Sequence, residues 1–461
     1  MSDFCPSDSE LAMLALASPF AFGIYQKQPS QVGAFLGRFG LACPLDRAVF
    51  DGLIREFVAI CAGISGAEDD IKENDVTEKD VKGSDVKDGI NKDDIKSGTE
   101  QTTDKTGDVE HADMRYDEID ESAVMQAMRE LRAMLMVKWI WQDALGVISL
   151  ENLTTELSDF ADACVCFAKD YAWHKTAERY GVPMTSSVQL AQTGMGGVGK
   201  KSPKIMPDEF AVIAMGKLGA RELNLSSDID LIFVHLGAGD TDISEQGKKS
   251  VENQKFMTTL GRVLIRLLND HSEHGFVFRV DMRLRPWGDG SPLIMSLSAL
   301  EKYFNQHGRT WERFAWLKAR VVNPVSTPFA DELSAVMKNF VYRYYIDYTA
   351  FSALREMKTL IMAQQAQRQD TDNVKLGVGG IRDIEFIAQA FSLIYGGHHL
   401  ALGERSACLD VLSMLGELDY LDDDECTKLM DAYRFLRRLE HAIQARHDEQ
   451  TQRLPRGDEL V

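Results

Sequence analysis

The sequence predicts an α+β protein in which a small mixed sheet with helices is flanked by amino-terminal helices and a carboxy-terminal helical bundle. Apolar runs of β type are confined to the middle of the chain, at Phe210 to Met215 and Ile229 to Val234. Apolar residues at helical spacing fill the regions before and after them. With 461 residues, the chain is long enough for two or three domains with substantial cores.

The first part of the chain divides by composition into three segments. Residues 1–65 are predicted to form amino-terminal helices, with a helix start at Ser7 to Glu10. Residues 66–113 are acidic and lack aromatic residues, so we expect a disordered insertion with too little apolar surface to offset chain entropy. Residues 114–183 return to helical periodicity and are predicted to pack on the catalytic unit.

A glycine-rich stretch at 194–200 resembles a phosphate-binding P-loop, but Lys201 stands where that loop needs Ser or Thr. We therefore interpret residues 184–207 as a flexible linker. Residues 208–325 are predicted to form the catalytic domain, including a helix at Asn253 to Leu268 and another at Trp311 to Arg320. Residues 326–461 are predicted to form the helical bundle.

Two carboxylates stand at the start of the second apolar strand. Asp228 and Asp230 are two residues apart, and on a strand such residues share a face at roughly 7 Å. Most Asp-x-Asp pairs are solvated loop acids, but this pair leads directly into an apolar run, where unpaired charge is costly. Carboxylates so placed suit Mg²⁺ and the phosphates of a nucleotide.

A third carboxylate is predicted on a neighbouring strand. From Phe278 to Arg285, apolar residues alternate with three arginines and Asp281. Alternating ion pairs on an exposed strand face would give the same pattern. Arginine forks also suit phosphate, and Asp281 would then complete a metal site.

Four motifs in this order resemble the glutamine synthetase adenylyltransferase/adenylyl-removing enzyme family: GKLGARELNLSSDIDLIF, FRVDMRLRPWGDGSPL, WERFAWLKARVV and GVGGIRDIEFIAQAF. That family carries two homologous nucleotidyltransferase units, and this chain shows one, whose wording is more similar to the first, adenylyl-removing unit. The chain is then either a piece of a two-unit enzyme or a single-unit protein. The resemblance implies a nucleotidyltransferase-type sheet.

The resemblance also implies roles for individual residues. Asp228, Asp230 and Asp281 match the catalytic and metal-binding acids, with Mg²⁺ as the metal. Apart from the resemblance, the positive charges of Lys318 and Arg320 make them further candidates to contact a phosphate. The candidate nucleotide- and phosphate-binding residues are Gly216, Lys217, Gly219, Ser227, Arg279, Arg283, Arg285, Gly379, Gly380 and Arg382.

The implied reaction is attack of inorganic phosphate on the adenylyl-tyrosine of glutamine synthetase, which releases ADP. Three alternatives stay open: adenylyl transfer from ATP to the synthetase, uridylyl transfer to PII protein, whose motifs fit less closely, and a module that binds the synthetase or PII protein without turnover. The expected partners are glutamine synthetase, PII protein, phosphate and ADP or ATP.

The charge balance limits the other partners. With 51 Lys plus Arg against 71 Asp plus Glu, the net charge of -20 disfavours nucleic acid. No apolar stretch approaches the ~20 residues of a membrane helix. The acidic amino terminus does not resemble a secretory signal, so we expect a cytoplasmic location and no membrane partner.

Overall fold

The computed structural model describes residues 6–41, 43–64, 114–185, 204–242, 250–343, 348–368 and 372–455. The predicted disordered insertion at 66–113 and the P-loop-like stretch at 194–200 lie outside these residues. Where the structure describes the predicted linker, Met184 bridges to Lys204 and Ile205 is fully buried. The domain boundaries stay predictions.

Helices fill the described residues before the sheet, as their periodicity predicted. The first begins at a capping box, in which the hydroxyl of Ser7 accepts from the Glu10 amide and the Glu10 carboxylate accepts from the Ser7 amide. The rings of Phe50, Trp139 and Phe160 meet edge to face, with centroids 5.6 to 6.2 Å apart. These helices are α1 (Asp8–Ala17), α2 (Pro19–Lys27), α3 (Pro29–Phe39), α4 (Arg47–Cys61), α5 (Glu121–Leu145) and α6 (Leu150–Tyr180).

A mixed five-stranded sheet follows, which confirms the predicted fold class. Its order is β3-β2-β1-β5, and β4 also pairs with β2. β1 is antiparallel to β2 and β5, whereas β2 is parallel to β3 and β4. The strands are β1 (Phe210–Ala214), β2 (Ile229–His235), β3 (Val280–Asp281), β4 (Ile294–Ser296) and β5 (Arg320–Val321).

Both faces of the central strands are covered. Phe210 and Val212 of β1 point into a core shared with α4 to α6, while Ala211 and Ile213 point into a second core on the opposite face. Double coverage explains why these strands read as continuous apolar runs rather than alternating ones. The helices between the strands are α7 (Gly216–Gly219), α8 (Asn253–Asn269), α9 (Leu297–Gln306) and α10 (Thr310–Trp316).

The described residues after β5 are almost entirely helical, as predicted. They bury a third core that includes Ile381, Leu412 and Tyr433. The last helix packs back toward the sheet. Its buried face carries Glu440 and His441 as well as apolar residues. The helices are α11 (Thr327–Val341), α12 (Tyr348–Arg368), α13 (Ile381–Tyr395), α14 (Leu400–Gly403), α15 (Cys408–Glu417) and α16 (Asp423–Ala445).

Two predicted elements are shorter than the sequence pattern suggested. The alternating strand from Phe278 to Arg285 is wrong beyond Asp281, because the chain leaves the sheet after two paired residues and enters consecutive turns. The predicted helix through Arg320 ends at Trp316. Arg320 instead pairs with Ala214 at the edge of the sheet.

Candidate active site

Three carboxylates meet at the β2–β3 edge of the sheet. Asp230 lies directly opposite Asp281 in the parallel register of these strands, and Asp228 comes just before β2. β3 is therefore the neighbouring strand that the sequence predicted for the third acid. We call Asp228, Asp230 and Asp281 the acid edge.

Asp230 is the most perturbed member of the acid edge. Burial, with the negative charges of Asp228 and Asp281, raises the pKa of its carboxyl to about 7. The positive charge of Lys375 acts in the opposite direction. A half-buried carboxylate that faces two others is a candidate for a functional site.

The other two acids have hydrogen-bonding partners. The Arg283 side chain donates to the Asp281 carboxylate, with its Nε 2.8 Å from Oδ2, and this bond lowers the pKa of Asp281 against the opposing effect of burial. Gln450 donates to Asp228 from the segment after α16. Both partners are exposed or nearly so, which leaves the site open to solvent.

The backbone of Gly216 lies directly against the side chain of Asp230. Its φ of +56° favours glycine, and a Cβ there would lie 2.7 Å from Oδ2 of Asp230. The next contact along the chain is a backbone bond, from the amide of Met215 to the carbonyl of Asp230 at 2.9 Å. Gly216, a candidate nucleotide- or phosphate-binding residue, thus lies directly against the Asp230 carboxylate.

Lys217 does not lie open beside the acids. It is buried, and its Nζ is 2.9 Å from the Glu440 carboxylate. Burial lowers the pKa of Lys217 to about 8, although Glu440 opposes this. Burial alone would raise the pKa of Glu440, but Lys217 and Arg437 lower it to about 2. In the described structure Lys217 is paired with Glu440, and its role as a nucleotide-binding residue stays a prediction.

This pair belongs to a larger cluster between the sheet and the bundle. Arg437 lies 3.6 Å from Glu440 and donates to the carbonyl of Glu222. Lys318 joins the Glu222 and Glu385 carboxylates at 3.3 and 3.0 Å. We call the following six residues the buried ion network: Lys217, Glu440, Arg437, Glu222, Lys318 and Glu385.

Lys318 and Arg320, the two basic residues suggested to contact phosphate, both form ion pairs within the protein. Lys318 belongs to the buried ion network. Arg320 forms a two-bond pair with Asp162, at 2.7 and 3.0 Å. Neither faces the acid edge with a free charge, so the structure corrects this suggestion.

The arginines around Asp281 do not form a common face. Arg279 donates to the backbone and hydroxyl oxygens of Ser226 and stacks on Phe276. Arg285 donates to the carbonyl of Met282. Because the chain turns after Asp281, only Arg283 among the three is largely exposed beside the acids. Ser227 lies half-buried just before Asp228.

Of the remaining predicted glycines, Gly219 and Gly380 lie close against backbone, whereas Gly379 bonds through its amide. A Cβ on Gly219 would lie 1.8 Å from the Lys318 carbonyl. The Gly379 amide donates to the Asp383 carboxylate, so this amide is not free for an anion. Gly380 sits against the backbone of the preceding turn, and Arg382 lies half-buried in the first turn of α13.

Sequence reasoning missed Gln450, which bonds to Asp228, Lys375, whose charge acts on Asp230, and Glu440 of the buried ion network. Lys375 stands two residues before a motif that drew notice only for its glycines. Glu440 and Gln450 carry no local signal, because their positions depend on how α16 docks on the sheet. Long-range contacts of this kind are not encoded in local spacing.

The donor chemistry of the acid edge fits a hard divalent cation. All three candidate ligands offer carboxylate oxygens, the atoms that such cations prefer. The raised pKa of Asp230 marks negative charge that a cation would compensate. Within the described residues, no three His, Cys, Asp or Glu side chains are already arranged to hold a metal ion.

Comparison with known proteins decides the family. Residues 91–202 and 198–335 match the family model described as glutamate-ammonia ligase adenylyltransferase. The chain belongs to this family. Residues 355–460 match a second model, described as GlnD PII-uridylyltransferase. Together these matches confirm a nucleotidyltransferase-type enzyme fold, with the acid edge inside the adenylyltransferase match.

Curated members of the adenylyltransferase family are similar along most of this chain. Bifunctional glutamine synthetase adenylyltransferase/adenylyl-removing enzymes from Acinetobacter baylyi and Shewanella woodyi are 49% and 44% identical over 341 and 337 residues. That from Thioalkalivibrio sulfidiphilus is 42% identical over 340 residues. The matches cover 73 to 74% of this chain but 33 to 34% of the relatives, so the chain spans about a third of their length.

In the part of the chain that the structure describes, no helix is both long and apolar enough to cross a membrane.

Proposed function

We propose that this chain removes the adenylyl group from the adenylyl-tyrosine of glutamine synthetase and so regulates nitrogen assimilation. Inorganic phosphate is the acceptor, and the products are ADP and the unmodified synthetase. The observation that carries the proposal is the meeting of Asp228, Asp230 and Asp281 at one sheet edge in a member of this family. The direction of transfer rests on the sequence, which resembles the adenylyl-removing unit between Tyr303 and Ala315.

In this reaction an oxygen of hydrogenphosphate forms a bond to the adenylyl phosphorus while the bond from that phosphorus to the tyrosine oxygen breaks. The tyrosine oxygen takes the proton, and the charge stays on ADP. Asp228, Asp230 and Asp281 would hold Mg²⁺, which supplies neutralisation of the phosphate charge. The exposed guanidinium of Arg283 is suited to bind a phosphate oxygen.

The partners belong to the proposal as well. Glutamine synthetase is the protein substrate, and PII protein is the proposed regulator. Both follow from resemblance to the family, and the net charge of -20 suits protein and nucleotide partners better than nucleic acid.

The test uses glutamine synthetase that carries radiolabelled AMP. The synthetase is incubated with this chain, Mg²⁺ and phosphate, with and without uridylylated PII protein. We expect labelled ADP that depends on phosphate. The D228N/D230N double variant should release at least about 100-fold less, because metal sites that lose lesser contacts already weaken by 10- to 100-fold. D331N, on the exposed surface of α11, is the matched control.

Three outcomes would contradict the proposal. Labelling of unmodified synthetase from ATP, without release of ADP from the modified form, would show the reverse direction. Silence in both assays, with binding of synthetase or PII protein intact, would show a module without turnover. Full activity in D228N/D230N would remove the acid edge from the mechanism.

A further inference from the structure

A segment of the helical bundle passes beside the acid edge. The Val374 amide donates to the Gln452 carbonyl at 2.9 Å, and Asn373 forms a bridge with Arg453. Gln450, at the start of this paired stretch, donates to Asp228. Lys375 follows directly on the bundle side, so its backbone is fixed relative to the acids.

The backbone of Lys375 is held on both sides. Its amide donates to the side chain of Asn373 at 3.1 Å, and its carbonyl accepts from the Arg382 amide at 3.2 Å. A Cβ on Gly380 would lie 2.9 Å from that carbonyl. Gly380 thus lets α13 begin close against Lys375.

The side chain of Lys375, by contrast, has no hydrogen bond or ion pair within the described residues. It is half-buried, and its charge acts on Asp230, Glu440 and Lys217. The buried lysines nearby behave differently. Lys217 is bonded to Glu440, and Lys318 is bonded to two carboxylates.

Lys375 is thus anchored beside the stretch that contacts Asp228, it carries a side chain without a partner in the described residues, and its charge acts on Asp230. These contacts favour one chemical role. If its role were only to neutralise Asp230, it would bond to that carboxylate as Lys217 bonds to Glu440. If a phosphoryl group bound between the acids and Lys375, the ammonium group would contact its oxygens on the side away from the carboxylates. An ammonium group is a common phosphate ligand.

We propose that Lys375 is a phosphate-binding residue of this site, contacting the phosphoryl groups that react at the acid edge. This inference rests on the proposed function and extends it to a residue supplied by the helical bundle. The phosphoryl group is either the attacking inorganic phosphate or the adenylyl phosphate of the substrate. Both present the same anionic oxygens to Lys375.

The test compares K375M, which removes the charge, with K375R, which keeps it. K338M, an exposed lysine of α11, is the matched control. The full chain is assayed for ADP release, with separate KM values for phosphate and for adenylylated synthetase. Binding of ADP in the presence of Mg²⁺ is measured by equilibrium dialysis, which does not depend on turnover.

For K375M we expect a roughly 10- to 100-fold loss, as for removal of a hydrogen bond to a charged group. A rise in the KM for phosphate alone assigns the contact to the attacking phosphate. A rise in the KM for the adenylylated synthetase assigns it to the adenylyl phosphate. Weaker ADP binding is expected in either case, because ADP carries both phosphoryl groups. K375R should recover most of the loss, and thermal unfolding should stay unchanged because Lys375 has no side-chain partner in the described residues.

The proposal is overturned if K375M matches the wild-type chain in KM, kcat and ADP affinity. It is also overturned if K375R is as defective as K375M and both unfold at lower temperature, since that shows a structural role. The proposed function can fail separately. If the wild-type chain is inactive but binds ADP, and K375M alone loses that binding, Lys375 still binds phosphate and only the reaction is wrong.

Discussion

The acid edge and the buried ion network are adjacent clusters of charge with opposite balance. The network contains three cations and three carboxylates, and the contacts of Lys217 and Lys318 pair them at 2.9 to 3.3 Å. At the acid edge three carboxylates face one another, and burial with mutual repulsion raises the pKa of Asp230 to about 7. The uncompensated carboxylates of the acid edge indicate a ligand site. The paired charges of the buried ion network instead connect the helical bundle to the sheet.

The largest effect should come from breaking the network at Lys217. K217M leaves the Glu440 carboxylate buried with a weaker partner, so we expect a loss of about 3 to 5 kcal/mol in the free energy of unfolding. The double variant K217M/E440L should recover most of it, because the uncompensated charge is gone. Urea unfolding of both variants checks this. Equal losses in the single and the double variant would show that the pair is not the cause.

Acid should weaken the network next. The unfolded pKa of Glu440 and Glu385 is about 4.5, while Lys217 and Lys318 help to hold both folded pKa values near 2 against burial. The unfolded state therefore takes up protons first, and stability present above pH 4.5 is lost as the pH falls toward 2. E440Q should remove up to about 3 kcal/mol of this pH-dependent loss in the free energy of unfolding. An unchanged slope in urea titrations from pH 5 to 3 would contradict it.

Removing a charge from the acid edge should stabilise the fold, whereas removing one from the buried ion network destabilises it. D230N removes a charge that is repelled by Asp228 and Asp281, so without added metal we expect stability to rise by about 2 kcal/mol at pH 7. Activity should fall in the same variant. Calorimetry with a chelator gives the stability, and a lower unfolding temperature would show that the carboxylate is structural.

The smallest effect should follow from Q450A. Gln450 is exposed and bonds to Asp228 from the segment after α16, so its removal should change stability by less than about 0.5 kcal/mol. A loss of several times that size in the same calorimetric experiment would mean that this contact anchors the bundle. The acid edge, like the buried ion network, would then help to hold the bundle to the sheet.

Much of the fold was predictable because it depends on local pattern. The periodicity of α5, α6 and α8 gave helices in the right places, and the apolar runs gave β1 and β2. The alternation after Phe278 misled, because a period of two also arises in a chain that turns. Only pairing with β2 determines where β3 ends.

The candidate site was predictable for the acids and less so for the bases. Asp228 and Asp230 are close through the chain itself, and Asp281 was found from its neighbouring arginines. The contacts of Lys217 and Arg279 were not predictable, because their partners Glu440 and Ser226 are not visible in local spacing.

The sequence by itself determined the α+β class, the acids and the resemblance to the family, since each rests on residue types at short separation. The tertiary structure decided which charges are compensated. Docking of α16 pairs Lys217 with Glu440, and the turn before α13 brings Lys375 to the acids unpaired. A charge is stabilised by whatever lies within a few ångströms of it, and the partners of Lys217 and Asp228 lie 223 and 222 residues away in sequence.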